Sequence, residues 1–108
     1  MPEPMVIELN DKQEYQRILG GLEKEPKTCG MRAGRSYIKP GGECGLHNTG
    51  NAEEVLVFLS GSGQLITENR PPLAVGAGKV AYIPPNTDHN VKNTGIEPLI
   101  YVYCVAPV

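Results

Sequence analysis

Residues 41–61, GGECGLHNTGNAEEVLVFLSG, and residues 78–93, GKVAYIPPNTDHNVKN, carry most of the structural information in this chain. They contain its only two histidines, His47 and His89. Each stretch joins short apolar runs through Gly, Pro and Asn, a pattern typical of short strands connected by tight turns. Because side chains alternate faces along a strand, His47 and Thr49 are predicted to share one face.

The same pattern continues on both sides of these stretches. Glycine (13) and proline (10) are abundant for a chain of 108 residues, which favours many turns and argues against a helix bundle. Extended segments are predicted at about residues 28–39, 43–48, 53–60, 62–68, 72–75, 79–83, 87–93 and 98–105. We therefore expect an all-β sandwich or barrel in a single domain, residues 1–108, with the barrel over about 28–106.

The N-terminal region carries a different signal. Residues 5–9 form a short extended candidate, and Asp11 with Glu14 fits a helix capping box. Tyr15, Ile18 and other apolar residues follow at helical spacing. We expect a strand and a short helix within about residues 5–20, the helix over about 11–20.

Charge and cysteine content exclude several classes of protein. Ten Lys and Arg against twelve Asp and Glu give a formal net charge of −2, and the basic residues are scattered, so we expect no nucleic-acid partner. No apolar run approaches the ~20 residues that cross a bilayer, so we expect no membrane partner. The N-terminus lacks the features of a signal peptide, and three cysteines without a C-x-x-C pair favour a reduced compartment. We expect a cytoplasmic protein.

The two histidine-containing stretches resemble the two signature motifs of the cupin superfamily. The first motif is commonly written G-x5-H-x-H-x3,4-E-x6-G, and the second G-x5-P-x-G-x2-H-x3-N. The matching residues are Gly41, His47, Glu54 and Gly61 in the first, and Gly78, Pro84, His89 and Asn93 in the second. Thr49 stands in place of the second histidine, and Asn86 in place of a glycine, where asparagine tolerates a left-handed backbone. The resemblance implies a double-stranded β-helix, or jelly-roll barrel.

The resemblance also implies a metal site. Cupins usually hold a metal through three histidines and one glutamate, which makes His47, Glu54 and His89 the expected ligands here. Two imidazoles and a carboxylate with open positions suit Fe(II) and also accept Mn, Ni or Zn. We expect Glu54 to face His47 across a pair of neighbouring strands. A threonine hydroxyl is a poor ligand, so Thr49 should open one coordination position and lower the metal affinity.

Other roles for these residues remain open at this stage. The two histidines could be hydrogen-bonded structural residues, and Glu54 a buried carboxylate, whereas Glu53 has the opposite parity and should be solvated. Arg35 is either a clamp for an anionic ligand or a solvated surface residue, and Cys44 lies either near the site or buried in the core. Either face of the strand that carries Tyr101 and Tyr103 could line the cavity. Asn93 is expected to be a structural residue that fixes a turn.

These patterns lead to three functional hypotheses. The first is a metal-dependent enzyme acting on a small oxygenated organic molecule, a sugar derivative or organic acid. The second is a non-catalytic small-ligand-binding or sensor barrel, and the third is a structural relic of a metal site. Whether the protein is an enzyme stays open. Residues 54–60 are apolar on both faces, which predicts a strand covered by a second sheet and by a partner subunit in a homodimer.

Overall fold

A computed structural model describes residues 2–20 and 26–108, and it is built from β-strands. Eight strands follow in chain order, and seven of them match seven of the eight extended segments predicted from residue 28 onward. The strands are β1 Gln16–Leu19, β2 Arg32–Ile38, β3 Ala52–Ser60, β4 Ser62–Thr67, β5 Leu73–Gly76, β6 Val80–Ile83, β7 His89–Lys92 and β8 Leu99–Pro107. In the described ranges no helix is long and apolar enough to span a membrane.

The strands form two antiparallel sheets. One has five strands in the order β1-β2-β8-β3-β6, and the other has three in the order β5-β4-β7. Buried side chains from both sheets pack into one core, namely Ile38, Leu56, Phe58, Leu65, Val75, Ile83, Val91, Leu99 and Tyr101. Burial of this apolar surface between the sheets is the main stabilising contribution to such a domain.

β3 shows how the sequence pattern produces this packing. Along the strand Ala52, Glu54, Leu56 and Phe58 are buried, while the intervening residues are more exposed. The buried set faces the second sheet, because side chains on a strand alternate faces. One carboxylate, Glu54, therefore enters the interior together with apolar neighbours.

The predicted N-terminal helix is wrong, and residues 5–9 form no strand. Residues 16–19 instead pair with β2 at the sheet edge. The buried guanidinium of Arg35 donates to the backbone carbonyls of Asn10, of Lys12 at 2.5 Å and of Glu14 at 2.9 Å. These contacts compete with helical hydrogen bonds, and a ten-residue helix is too short to be stable without tertiary support.

The predicted strand at 43–48 is also incomplete. Two isolated bridges, Glu43 with Lys92 and His47 with His89, attach this segment to β7. Between them Gly45 has a φ of 102°, which interrupts the extended backbone.

The turn before β7 contains Asn86, which replaces the glycine of the second motif, and it has the left-handed backbone expected at that position. Asn86 adopts a φ of 56°, in the left-handed region. Its backbone N–H donates to Gly50 O at 2.8 Å, which ties this turn to the turn before β3. The turn therefore keeps its shape without a glycine, because asparagine tolerates this conformation better than most residues.

Candidate metal centre

His47 and His89 are direct neighbours on adjacent chain segments. The N–H of each donates to the carbonyl of the other at 2.9 Å, as in a hydrogen-bonded antiparallel pair. Side chains of such a pair project to the same face, and the ring centroids here lie 4.1 Å apart. The two imidazoles are thus placed together by backbone geometry.

Backbone carbonyls also set the tautomer of both rings. His47 Nδ1 lies 2.8 Å from Gly45 O, and His89 Nδ1 lies 2.8 Å from Thr87 O. Because a carbonyl oxygen only accepts, each Nδ1 must carry the proton. In the neutral rings Nε2 then keeps its lone pair, the arrangement found in metal-ligating histidines.

Glu54 reaches the histidines from the opposite sheet. Its cross-strand neighbours are Ile83 on β6 and Val105 on β8, so the expectation that it faces His47 across a strand pair is wrong. The three residues nevertheless meet, with one ligand atom from each lying within 4.8 Å of the others. His47 is exposed, whereas Glu54 and His89 are only 5% and 1% exposed.

The contact between Glu54 and His89 is close but poorly aligned. His89 Nε2 lies 3.1 Å from Glu54 Oε1, yet the two atoms do not meet the geometry of a hydrogen bond, and both are buried without another partner. Leaving buried polar atoms unsatisfied costs free energy. Coordination of a shared cation would satisfy both atoms, so this donor set fits a divalent transition metal.

The electrostatics of His89 reflect the same pair. Burial of the ring opposes protonation, but Glu54 and the Thr87 carbonyl outweigh it and raise the net pKa of His89 above 6.5. Without a cation, the neighbouring carboxylate therefore makes protonation of His89 easier than burial alone would allow.

These donors lie in a cavity of about 390 Å³, within the size range of small-molecule sites. Thr49 also lines it, and its hydroxyl donates to Ala52 O at 3.2 Å. The inner face of β8 supplies Tyr101, Tyr103 and Val105, which resolves the question of which face of the last strand meets the cavity. The remaining lining residues are Arg32, Ser36, Cys44, Gly45, Leu46, Leu56 and Val91.

The two tyrosines are neutral phenols in this setting. Burial raises the pKa of Tyr101 well above 10, and its hydroxyl interacts with Ser36 and Cys44. Burial also raises the pKa of Tyr103, together with contact between its hydroxyl and that of Tyr15. They can donate hydrogen bonds to a ligand without carrying charge.

The structure corrects the secondary candidates. Arg35 is neither an anion clamp nor solvated, because it is 3% exposed and binds the N-terminal carbonyls. The arginine that lines the cavity is Arg32, which the sequence interpretation missed. Arg32 shares its face of the strand with Ser36, opposite to Arg35, and this alternation was the signal in the sequence that could have identified it. Cys44 is exposed at the cavity and its Sγ lies 3.6 Å from His47 Nδ1.

The structure confirms the predicted face of Glu53, although this residue is partly buried and not fully solvated, and it confirms the predicted role of Asn93. Glu53 lies on the face opposite to Glu54 and accepts a hydrogen bond from the Tyr82 hydroxyl at 2.8 Å. Asn93 is structural and only 3% exposed. Its amide donates to Ile38 O at 2.9 Å and to Glu97 O at 2.8 Å, and its Oδ1 accepts from the Gly95 N–H at 2.9 Å.

Known proteins share both the sequence pattern and the fold. Residues 34–105, two thirds of the chain, match the cupin domain family. Uncharacterized protein MJ1618 of Methanocaldococcus jannaschii is 36% identical over 72 residues, which are 67% of this chain and 57% of that protein. This chain thus matches little more than half the length of that relative.

Solved structures agree with the family match. An RmlC-like cupin family protein from Methanocaldococcus jannaschii superposes with a TM-score of 0.77 at 20% identity, covering 99% of this chain and 93% of the other. A predicted oxalate decarboxylase from Thermotoga maritima superposes with a TM-score of 0.67 at 23% identity, covering 71% and 66%. Together with the paired histidine motifs, these matches establish that the chain belongs to the cupin family and has its double-stranded β-helix fold.

Proposed function

We propose that this protein is a metal-dependent enzyme acting on a small oxygenated organic molecule. The observation that carries the proposal is the pair of unsatisfied buried atoms, Glu54 Oε1 and His89 Nε2, beside His47 in one cavity. If these residues had a purely structural, hydrogen-bonded role, those two atoms should have hydrogen-bond partners, which they lack among the residues that the structure describes. A divalent cation bound between them would satisfy both.

Different residues of the chain would bind the metal and the substrate. With Nδ1 of each ring bound to a backbone carbonyl, His47 and His89 would offer their Nε2 atoms to a metal, and Glu54 would supply the one carboxylate among the three donors. A divalent metal held there would supply Lewis acidity toward a substrate oxygen. Thr49 leaves room beside the donors, and the Tyr101 phenol offers a hydrogen bond to a bound molecule.

The substrate is proposed to be a sugar derivative or an organic acid. The cavity volume admits only a small molecule, and its lining mixes apolar side chains with a few polar groups, as binding sites do. The structural likeness to a predicted oxalate decarboxylase is consistent with an organic acid.

Metal content tests the proposal. Untagged protein purified without chelators and incubated with Fe(II), Mn(II), Ni(II) or Zn(II) should retain about one metal ion per chain, measured by plasma mass spectrometry. Glu54→Gln should lose most of it, whereas Glu53→Gln removes the neighbouring carboxylate on the outer face and should keep it. Absence of retained metal in the folded wild-type protein would contradict the proposal.

A non-catalytic ligand-binding barrel is the second candidate. In the described part of the chain, the cavity lining adds no carboxylate and no imidazole to the three donors, and its two phenols have raised pKa values. That lining offers few groups for proton transfer near neutral pH. Tight binding of small oxygenated molecules without turnover of any of them by metal-loaded protein would favour this candidate.

A further inference from the structure

Arg32 stands in one cross-strand row with Glu54. Val105 on β8 pairs with Arg32 of β2 on one side and with Glu54 of β3 on the other. Directly paired residues project to the same face of a sheet, so Arg32, Val105 and Glu54 all face the cavity. With strands spaced by ~4.8 Å, the backbones of Arg32 and Glu54 are about 10 Å apart.

The guanidinium of Arg32 has no partner within residues 2–20 and 26–108. Neither a hydrogen bond nor an ion pair engages it, and the residue is exposed toward the cavity. Arg35, three residues along the same strand, contrasts with it, because its Nη1 and Nη2 groups donate to backbone carbonyls. Arg32 therefore keeps the planar set of donors that can bind a carboxylate in a bidentate manner.

The charges in the cavity favour an anionic ligand. Among the described lining residues, Glu54 is the one carboxylate and Arg32 the one arginine or lysine, with both histidines neutral in the ligating form. A divalent cation at the three donors would give this set a net positive charge. A neutral ligand would leave Arg32 and the cation repelling each other, whereas an anion between them offsets both charges.

We infer that the cavity binds a small organic anion whose carboxylate is held by Arg32 while another oxygen lies at the His47–Glu54–His89 donors. This inference rests on the proposed function and narrows its substrate class from sugar derivatives and acids to carboxylates. A bidentate contact from the side of β2 would also fix the orientation of the bound molecule.

Calorimetric titration tests the inference. The ligands are malonate and succinate, and the neutral malonamide serves as the comparison. Metal-free and Co(II)-loaded protein are titrated at one fixed ionic strength. A dicarboxylate should bind, malonamide should bind far more weakly, and Arg32→Gln should raise the dissociation constant by about ten- to hundredfold. Arg70→Gln, which removes the same charge from the exposed turn between β4 and β5, should change it less than about twofold.

The outcomes separate this inference from the function on which it rests. Dicarboxylate binding that depends on Arg32 in a protein that does not retain Co(II) would sustain the carboxylate contact with Arg32 and contradict the metalloenzyme. If the protein retains Co(II) but binds no dicarboxylate, or binds it with equal affinity in wild type and Arg32→Gln, the inference is overturned and the metal site stands. Arg32→Lys should recover only part of the affinity, because lysine keeps the charge and loses the bidentate geometry.

Discussion

The backbones of His47 and His89 exchange two hydrogen bonds of 2.9 Å, although the residues lie 42 positions apart in the sequence. Their rings are therefore held at 4.1 Å by the same interactions that hold the barrel together. A pair of side chains held this way would need little rearrangement to bind a ligand, which lowers the cost of binding.

Replacing Thr49 with histidine should strengthen metal binding. Thr49 lines the cavity at the position where cupins usually have a further histidine, and the change adds a fourth donor. We expect the metal affinity to rise at least about tenfold in a competition titration with a chromophoric chelator. The lost hydrogen bond to Ala52 O should cost only about 1 kcal/mol of stability. An unchanged affinity in a folded variant would argue against the assigned donor set.

The stability of the metal-free protein should fall as pH rises above 6.5. The folded-state pKa of His89 is raised above 6.5, so the stabilisation from its protonated form is complete below pH 6.5 and is lost as pH rises through the raised value. Thermal unfolding of chelator-treated protein should show Tm decreasing over that range. His89→Gln should lack this decrease, and Glu53→Gln should keep it. An equal pH dependence of Tm in wild type and His89→Gln would exclude His89 as the cause of the decrease.

Removing the Arg35 side chain should release the N-terminal segment. Arg35→Met loses the charged donors that bind the carbonyls of Asn10, Lys12 and Glu14. We expect the free energy of unfolding to fall by about 2–4 kcal/mol and trypsin to cleave after Lys12 more rapidly. Arg32→Met removes an exposed arginine from the same strand and should change stability by less than about 0.5 kcal/mol. Equal protease resistance in both variants would count against this anchoring role.

We propose that the outer face of the five-stranded sheet packs against the same face of a second copy. Val80 and Tyr82 of the edge strand β6 are 67% and 56% exposed, and Leu59 of β3 is 47% exposed. Such a patch favours self-association. Light scattering coupled to gel filtration should give a dimer for wild type and for Ile96→Asp, whose position is 94% exposed elsewhere, and a monomer for Val80→Asp. A monomeric wild type would contradict the proposal.

The turn residues made the barrel predictable, because Gly, Pro and Asn mark strand ends with little help from distant contacts. The N-terminal helix failed for the opposite reason. Arg35 is distant in sequence, and its contacts with three backbone carbonyls outweigh the local helical pattern.

The residues of the candidate site could be predicted from the sequence, but the strands that bring them together could not. Motif spacing identified His47, Glu54 and His89, but their neighbours depend on how the two sheets close. Arg32 was overlooked because face assignment on β2 was left open, and only the registration with Val105 places it beside the cavity.

The three donors come from three separate chain segments, and the two closest in sequence, His47 and Glu54, are seven residues apart. With Thr49 between them, the unfolded chain lacks the adjacent pair of histidines that could chelate a metal locally. A metal ion would then bind the native barrel more tightly than the unfolded chain, where Cys44 and His47 remain as a local pair of donors. The difference between the two binding energies would add to the stability of the native state, and the melting temperature would rise with the free metal concentration.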